Sequence, residues 1–427
     1  MTVSSAGQFN WLRSVCMWSL ACVVASPVAW AQPADETASH RRPVKVIAPE
    51  RIKIKTALGE AIVPAYTSAD LSKTHSDIKR AVIVVHGRLR DADNYFELTM
   101  RAAKASNAMG DTLLIAPQIL TTGDAARHSL GPVIARWKSE SWVAGDIGKA
   151  PSSLSSFEVL DGIIAQLADR TRYPNLERIV VAAHSGGAQF VQRYALVGRA
   201  DQVLTAAGLQ PYAEGVEPST LTVGKGPVMR VRYVVANPSS YVYFDATRPS
   251  PSGNCKEFDH WRYGIVDPVA YAYGSDMKAL ERRYLTRRVM YLLGGKDNDP
   301  NHAALDKTCM ADAQGANRLE RGTNYFAHVL KRAKVQNIPL RHTRVEVPDV
   351  AHDATRMFNS ICGKAALFDA PGCEMKMGES MTAPTSLIAP TAVATPVVTG
   401  AVHSAAPPAA HVTRPSATSH VAPRAGA

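Results

Sequence analysis

Residues 180–190 read VVAAHSGGAQF (Val180 to Phe190), an apolar, β-branched run that stops at Ser185 and then turns amphipathic. That change of period, from buried strand to helix across a tight turn, is the sequence form of a nucleophile elbow. A strand feeding such a turn forces the serine into a strained backbone position, and only small neighbours such as Ala183 and Gly187 leave room for it. The helix that begins there points its unpaired N–H groups and positive dipole end at the place where an oxyanion would form. A Ser-Gly-Gly turn that merely joins a strand to a helix would read the same way locally, so the rest of the chain has to decide.

Working outward, Arg80–Val85 (RAVIVV) is a buried-strand run ending in His86-Gly87, and Asn94–Met109 has a helical period. Asp111–Ala116 (DTLLIA) is a further apolar run, stopped by Pro117. Phe157, Leu160, Ile163, Ile164 and Leu167 mark one face of a helix ahead of the elbow strand. Met229–Ala236 and Arg288–Leu293 are apolar strands, and His342–Val347 alternates. At the N-terminal side, Arg51–Thr56 and Glu60–Tyr66 flank Leu58-Gly59 and predict an antiparallel hairpin at the sheet edge. Such alternation predicts an α/β domain with a mostly parallel central sheet and helices on both faces. Ligands in such sheets bind beyond the carboxyl ends of the strands. His86-Gly87, Ser185, Gly294–Asp297 and Asp349–His352 all follow predicted strands, so they should converge.

A serine hydroxyl is a weak nucleophile at neutral pH and needs a base in hydrogen-bond reach, with an acid behind the base to orient it. His352, in VPDVAHDATRMF, follows the last strand and can reach Ser185 from a loop. Asp297, ending LLGGKD, follows an apolar strand and is the candidate acid, with Asp299 as its rival. His86 and His184 read as packing or hydrogen-bonding neighbours without a proton-transfer role. Asp297, Asn298, Asp299 and Asn301 resemble the start of a calcium loop, but His302 and Thr308 stand where that loop needs Gly and Glu.

With VVHG before the first helix, AHSGG at the elbow, GGKD after a late strand and the terminal AHD, the chain resembles the α/β-hydrolase family across nearly the whole domain. The resemblance implies a Ser185–Asp297–His352 triad in the family's serine, acid, histidine order, and an oxyanion hole from the backbone N–H groups of Arg88 and Gly186. It departs from the family pattern at Ala183, where the first glycine usually stands, and at His86-Gly87-Arg88 in place of a Gly-Gly-Gly run. The expected activity is cleavage of carboxylic esters through an acyl-enzyme, with a small-molecule or polymeric ester as substrate and no metal or organic cofactor. A secreted peptidase or amidase, or a polyester depolymerase, would use the same triad. A non-catalytic binding protein of the same fold would lack a triad member. Trp137 and Trp142, in RWKSESWVAGD, and Tyr241, Tyr243 and Trp261 further on, are candidates either to line an acyl or polymer groove or to anchor their loops.

The chain of 427 residues is 46% hydrophobic and 20% charged, ordinary for a globular protein. Residues 1–31 carry Arg13, an apolar stretch from Val15 to Val24 and then Ala29-Trp30-Ala31, the pattern of a signal peptide cleaved before Gln32. Residues 42–378 are expected to form one catalytic domain. Residues 379–427, rich in Ala, Pro and Thr, cannot bury a core and are expected to be a disordered tail. Export to a secreted or periplasmic location follows, with no stable membrane insertion after cleavage. Of six cysteines, those outside the signal peptide are expected to pair as Cys255–Cys309 and Cys362–Cys373. No Cys-x-x-Cys spacing suggests zinc. The formal charge of +11 is scattered, without a basic run interleaved by aromatics, so a nucleic-acid partner is not expected. Sequence says nothing of oligomeric state.

Overall fold

A computed structural model describes residues 40–56, 59–212, 226–250 and 254–384. The signal-peptide reading of residues 1–31 and nearly all of the tail lie outside the described residues.

The central sheet is built from β1 (Glu50–Thr56), β2 (Gly59–Thr67), β3 (Arg80–Val85), β4 (Thr112–Pro117), β5 (Arg178–His184), β6 (Val228–Ala236), β7 (Arg288–Gly294), β8 (Thr343–Val347) and β9 (Ser380–Thr382). Their spatial order is β1-β2-β4-β3-β5-β6-β7-β8-β9, with Gln210–Tyr212 paired beside β6. Only the β1–β2 and β2–β4 pairings are antiparallel; every pairing from β4 to β9 is parallel. This is the α/β-hydrolase arrangement expected above, hairpin edge included.

The strands read as unbroken apolar runs because both of their faces are covered. Ile83, Val85, Ile179, Val181 and Ala183 pack into one layer, and the alternating Val82, Val84, Val180 and Ala182 into the other. The first layer carries helices α2 (Ser156–Leu167), α3 (Gly186–Val197), α4 (Met277–Thr286) and α5 (Arg318–Val335). The second carries α1 (Ala92–Ala105), α6 (Ala354–Asn359) and α7 (Ile361–Phe368). Helix starts are set by side-chain caps: Ser155 and Glu158 form a capping box on α2, and Asn317 caps α5.

Two boundaries differ from the sequence reading. Helix α1 stops at Ala105 rather than Met109, because Ser106 caps it and Asn107 turns left-handed (φ 51°). The ordered domain also continues past Gly378: Ser380, Met381 and Thr382 pair in parallel with Arg344, Val345 and Glu346. A three-residue edge strand is too short to show any period, which is why composition alone misplaced the start of the tail. Both expected disulfides, Cys255–Cys309 and Cys362–Cys373, are present. Among the described residues no helix is long and apolar enough to cross a membrane.

Candidate active site

The turn from β5 into α3 holds Ser185 at φ 60°, ψ −126°, a region a side-chain-bearing residue adopts only under strain. Its N–H donates to the Ala236 carbonyl at 2.9 Å, tying the elbow to the end of β6. Gly187 is required by close approach: a Cβ there would lie 2.3 Å from the His86 carbonyl oxygen, and 3.1 Å from the Ala183 Cβ. The small residue at 183 therefore works with the glycine at 187 to let the elbow pass under the β3 loop. Gly187→Ala is expected to cost on the order of 3 kcal/mol, since the obstacle is backbone and cannot rotate away. A urea or thermal melt coinciding with the parent's would contradict this.

The structure brings the three residues singled out as nucleophile, base and acid into one chain of hydrogen bonds. The Ser185 hydroxyl lies 2.9 Å from His352 Nε2, and His352 Nδ1 lies 2.7 Å from Asp297 Oδ2. Asp297 is 3% exposed. Its rival Asp299 is exposed and turns away to accept the Asn301 N–H at 2.8 Å. A residue that sequence reading missed, Arg318 at the start of α5, donates to Asp297 Oδ1 at 3.2 Å. Burial pushes the Asp297 carboxyl up, but its hydrogen bond to His352, the His352 charge and Arg318 outweigh this, and the net direction is down. Asp297 is therefore a carboxylate that orients His352. Burial lowers His352 below its ordinary 6.5, with Arg318 acting the same way and Asp297 opposing, so the imidazole is the free base at neutral pH.

The close packing of acid and histidine loops also depends on a glycine. A Cβ at Gly294 would lie 2.3 Å from the Val350 carbonyl oxygen. Asn237, at the end of β6, clamps both loops, accepting the Gly294 N–H at 2.7 Å and donating to the Ala351 carbonyl at 3.2 Å. Nothing short-range in the sequence marks it, because one partner ends another strand and the other lies in the histidine loop.

The loop after β3 presents the Arg88 amide. The Gly87 carbonyl accepts from the Arg90 N–H at 3.1 Å and from His86 Nδ1 at 2.8 Å, while His86 Nε2 accepts the Ile119 N–H at 2.9 Å. With its carbonyl held on one side, the trans peptide must point the Arg88 N–H to the other. Gly186, the first residue of α3, faces it: a Cβ on Gly186 would sit 3.3 Å from the Arg88 nitrogen. Burial keeps His86 neutral, pushing it down to about 4, as the acceptor role of Nε2 requires. His184 packs on the His352 ring at 4.5 Å between centroids. Burial, with lesser effects from His352 and Arg318, lowers it well below the ordinary value. His86 thus braces the loop after β3, and His184 packs beneath the His352 ring.

Ser185, His352 and Arg88 open into a cleft of about 860 Å³. The tryptophans expected as candidate substrate contacts do not line it. Trp137 and Trp142 are each 0% exposed; Trp137 donates to the Asp146 carbonyl at 2.9 Å and Trp142 packs edge-on against His86 at 5.1 Å. They anchor the loop, and their neighbour Val143 reaches the cleft instead. Tyr241 and Tyr243 are likewise buried, and Trp261 donates to the Ala144 carbonyl at 2.7 Å. Large rings cannot stay in water when a core lies within reach, and sequence spacing does not say whether one does. Among the described residues no three metal-ligating side chains converge.

No family model matches the chain, and no curated protein matches it. Among solved structures it is similar to poly(aspartic acid) hydrolase-1 from Sphingomonas sp. KT-1, at 21% identity and a TM-score of 0.49, over 73% of this chain and 96% of that one. It is also similar to a poly(3-hydroxybutyrate) depolymerase from Bordetella parapertussis, at 18% identity and 0.48, over 74% and 86% of the two chains. A siderophore hydrolase from Aspergillus nidulans follows at 14% and 0.37, over 77% and 98%. The likeness is one of fold, and the substrates named are those of the other proteins.

Proposed function

We propose that this chain is an exported serine hydrolase that cleaves carboxylic esters through an acyl-enzyme. The observation that carries the reading is the unbroken hydrogen-bonded chain from Asp297 through His352 to Ser185. His352 Nε2 takes the hydroxyl proton as Ser185 Oγ bonds to the ester carbonyl carbon, and Asp297 stabilises the imidazolium that forms. The oxyanion is received by the N–H groups of Arg88 and Gly186 in a site prepared before the substrate arrives. Collapse breaks the acyl–oxygen bond, and His352 returns its proton to the departing alcohol. Water, deprotonated by the same imidazole, then releases the acid. Two disulfides are consistent with an oxidising, secreted or periplasmic setting.

Labelling of the purified protein with a fluorophosphonate probe tests the reading directly. Covalent uptake that disappears in His352→Ala is the expected result, and a folded parent that stays unlabelled would overturn it. The pH profile gives a second check. Because His352 is lowered from 6.5, the free base persists to more acidic pH than an ordinary histidine would allow, and activity is lost only as pH falls through the lowered value. The acid limb of kcat/KM is expected to have its midpoint below 6.5. A midpoint above that value would contradict the burial described here.

A further inference from the structure

We infer that Arg262 selects substrates carrying an anionic group, a carboxylate above all, in the same cleft; the inference rests on the hydrolase reading. Ser185, Gln189 and Arg193 follow one another at four-residue spacing along α3, so Arg193 stands two turns from Ser185, roughly 12 Å along the axis. Arg193 Nε donates to the Arg262 carbonyl at 3.3 Å and Nη1 to the Val143 carbonyl at 3.0 Å, which fixes the Arg262 backbone on the wall of the cleft. The Arg262 side chain lines that cleft together with Ser185.

The carboxylates of the lining are turned to other donors. Glu140 is held by the Arg88 guanidinium, at 2.6 Å for one of its two contacts. Asp306 accepts from the Tyr263 hydroxyl at 2.9 Å and from the Thr308 hydroxyl at 2.8 Å. Asp91 accepts from Asn94 at 3.2 Å. Arg262 donates to the Tyr263 hydroxyl at 3.3 Å and, among the described residues, has no carboxylate within ion-pairing distance. Arg193 beside it is held only by neutral groups: two carbonyls, the Gln189 amide oxygen and the Ser240 hydroxyl. Asp146, Asp306 and Glu140 act on this pair through space, beyond ion-pairing distance. Two adjacent cations, one of them fully buried, are hydrogen-bonded only to neutral groups, so their positive field at low dielectric is met by Asp146, Asp306 and Glu140 without a direct ion pair. The guanidinium at the cleft surface offers the planar fork that matches a carboxylate. Lining the same cleft as Ser185 without touching it, Arg262 suits an anion several bonds from the scissile carbonyl.

The test uses two matched pairs of esters and the full-length protein. 4-Nitrophenyl hydrogen adipate against its methyl ester places the anion on the acyl side, and 4-acetoxybenzoate against methyl 4-acetoxybenzoate places it on the alcohol side. In at least one pair the parent is expected to favour the anion by about tenfold or more in kcat/KM at low salt, a preference that shrinks as salt screens it. Arg262→Gln is expected to remove that preference mainly through KM, Arg262→Lys to retain part of it, and Arg262→Glu to reverse it. Circular dichroism and melting curves establish that the variants are folded. Absence of charge preference in both pairs, or an equal loss on both members of a pair in Arg262→Gln, overturns the inference. A parent that hydrolyses none of the four esters and takes up no fluorophosphonate removes the hydrolase reading and this inference with it, whereas turnover without preference removes only the inference.

Discussion

Ser185→Ala is expected to leave a folded protein whose ester turnover has fallen by at least about a thousandfold and which no longer takes up a fluorophosphonate. The effect is large because, among the described residues, Ser185 Oγ is the hydroxyl hydrogen-bonded to His352 Nε2, at 2.9 Å. Folding should survive because the side chain sits at the mouth of a cleft and supports no layer of the core. Its backbone ties to Ala236 and Gln189, which alanine keeps. Alanine does not relieve the positive φ either, so the elbow itself is untouched. Urea melts of parent and variant run in parallel would show this, and activity near the parent level would remove Ser185 as the nucleophile.

Asp297→Asn against Asp299→Asn is expected to separate two residues that sequence alone left as rivals. Asparagine at 297 loses the charge that stabilises the imidazolium and can present an N–H toward His352 Nδ1, favouring the wrong tautomer. A fall in kcat of on the order of a thousandfold or more is expected. It also leaves the buried Arg318 guanidinium without its carboxylate, so a lower melting temperature should accompany the loss. Asp299→Asn removes a charge from an exposed turn and keeps an oxygen that can accept the Asn301 N–H, so activity should stay within about twofold of the parent, as for surface substitutions generally. Equal losses in the two variants would contradict the geometry.

Much of the fold and the core of the site were legible along the chain. The elbow declares itself because strand and helix periods meet at one serine, and both periods are local. The hairpin around Gly59, the mostly parallel sheet and the candidate residues at its carboxyl ends follow from short-range patterning joined to topological rules that admit few alternatives. Two disulfides followed from the reading of export, but which of three pairings forms was decided by the fold. The pairing of Ser380–Thr382 beyond Gly378, and the early end of α1, were missed because one element is too short and one cap too idiosyncratic to leave a period.

Tertiary structure decided the rest, for one physical reason: hydrogen bonds, burial and charge pairing depend on distances in space between residues far apart in the chain. The choice of Asp297 over Asp299 turns on which carboxylate the end of β7 points at His352. Arg318 reaches Asp297 only because α5 packs back over the same strand, and Asn237 joins two loops that no spacing rule connects. Trp137 and Trp142 illustrate the limit from the other side, since an aromatic near a site is drawn into the core or left at the cleft according to what the fold sets beside it. Local chemistry named a candidate nucleophile and its candidate partners; packing brought one set of them together and shaped the cleft they face.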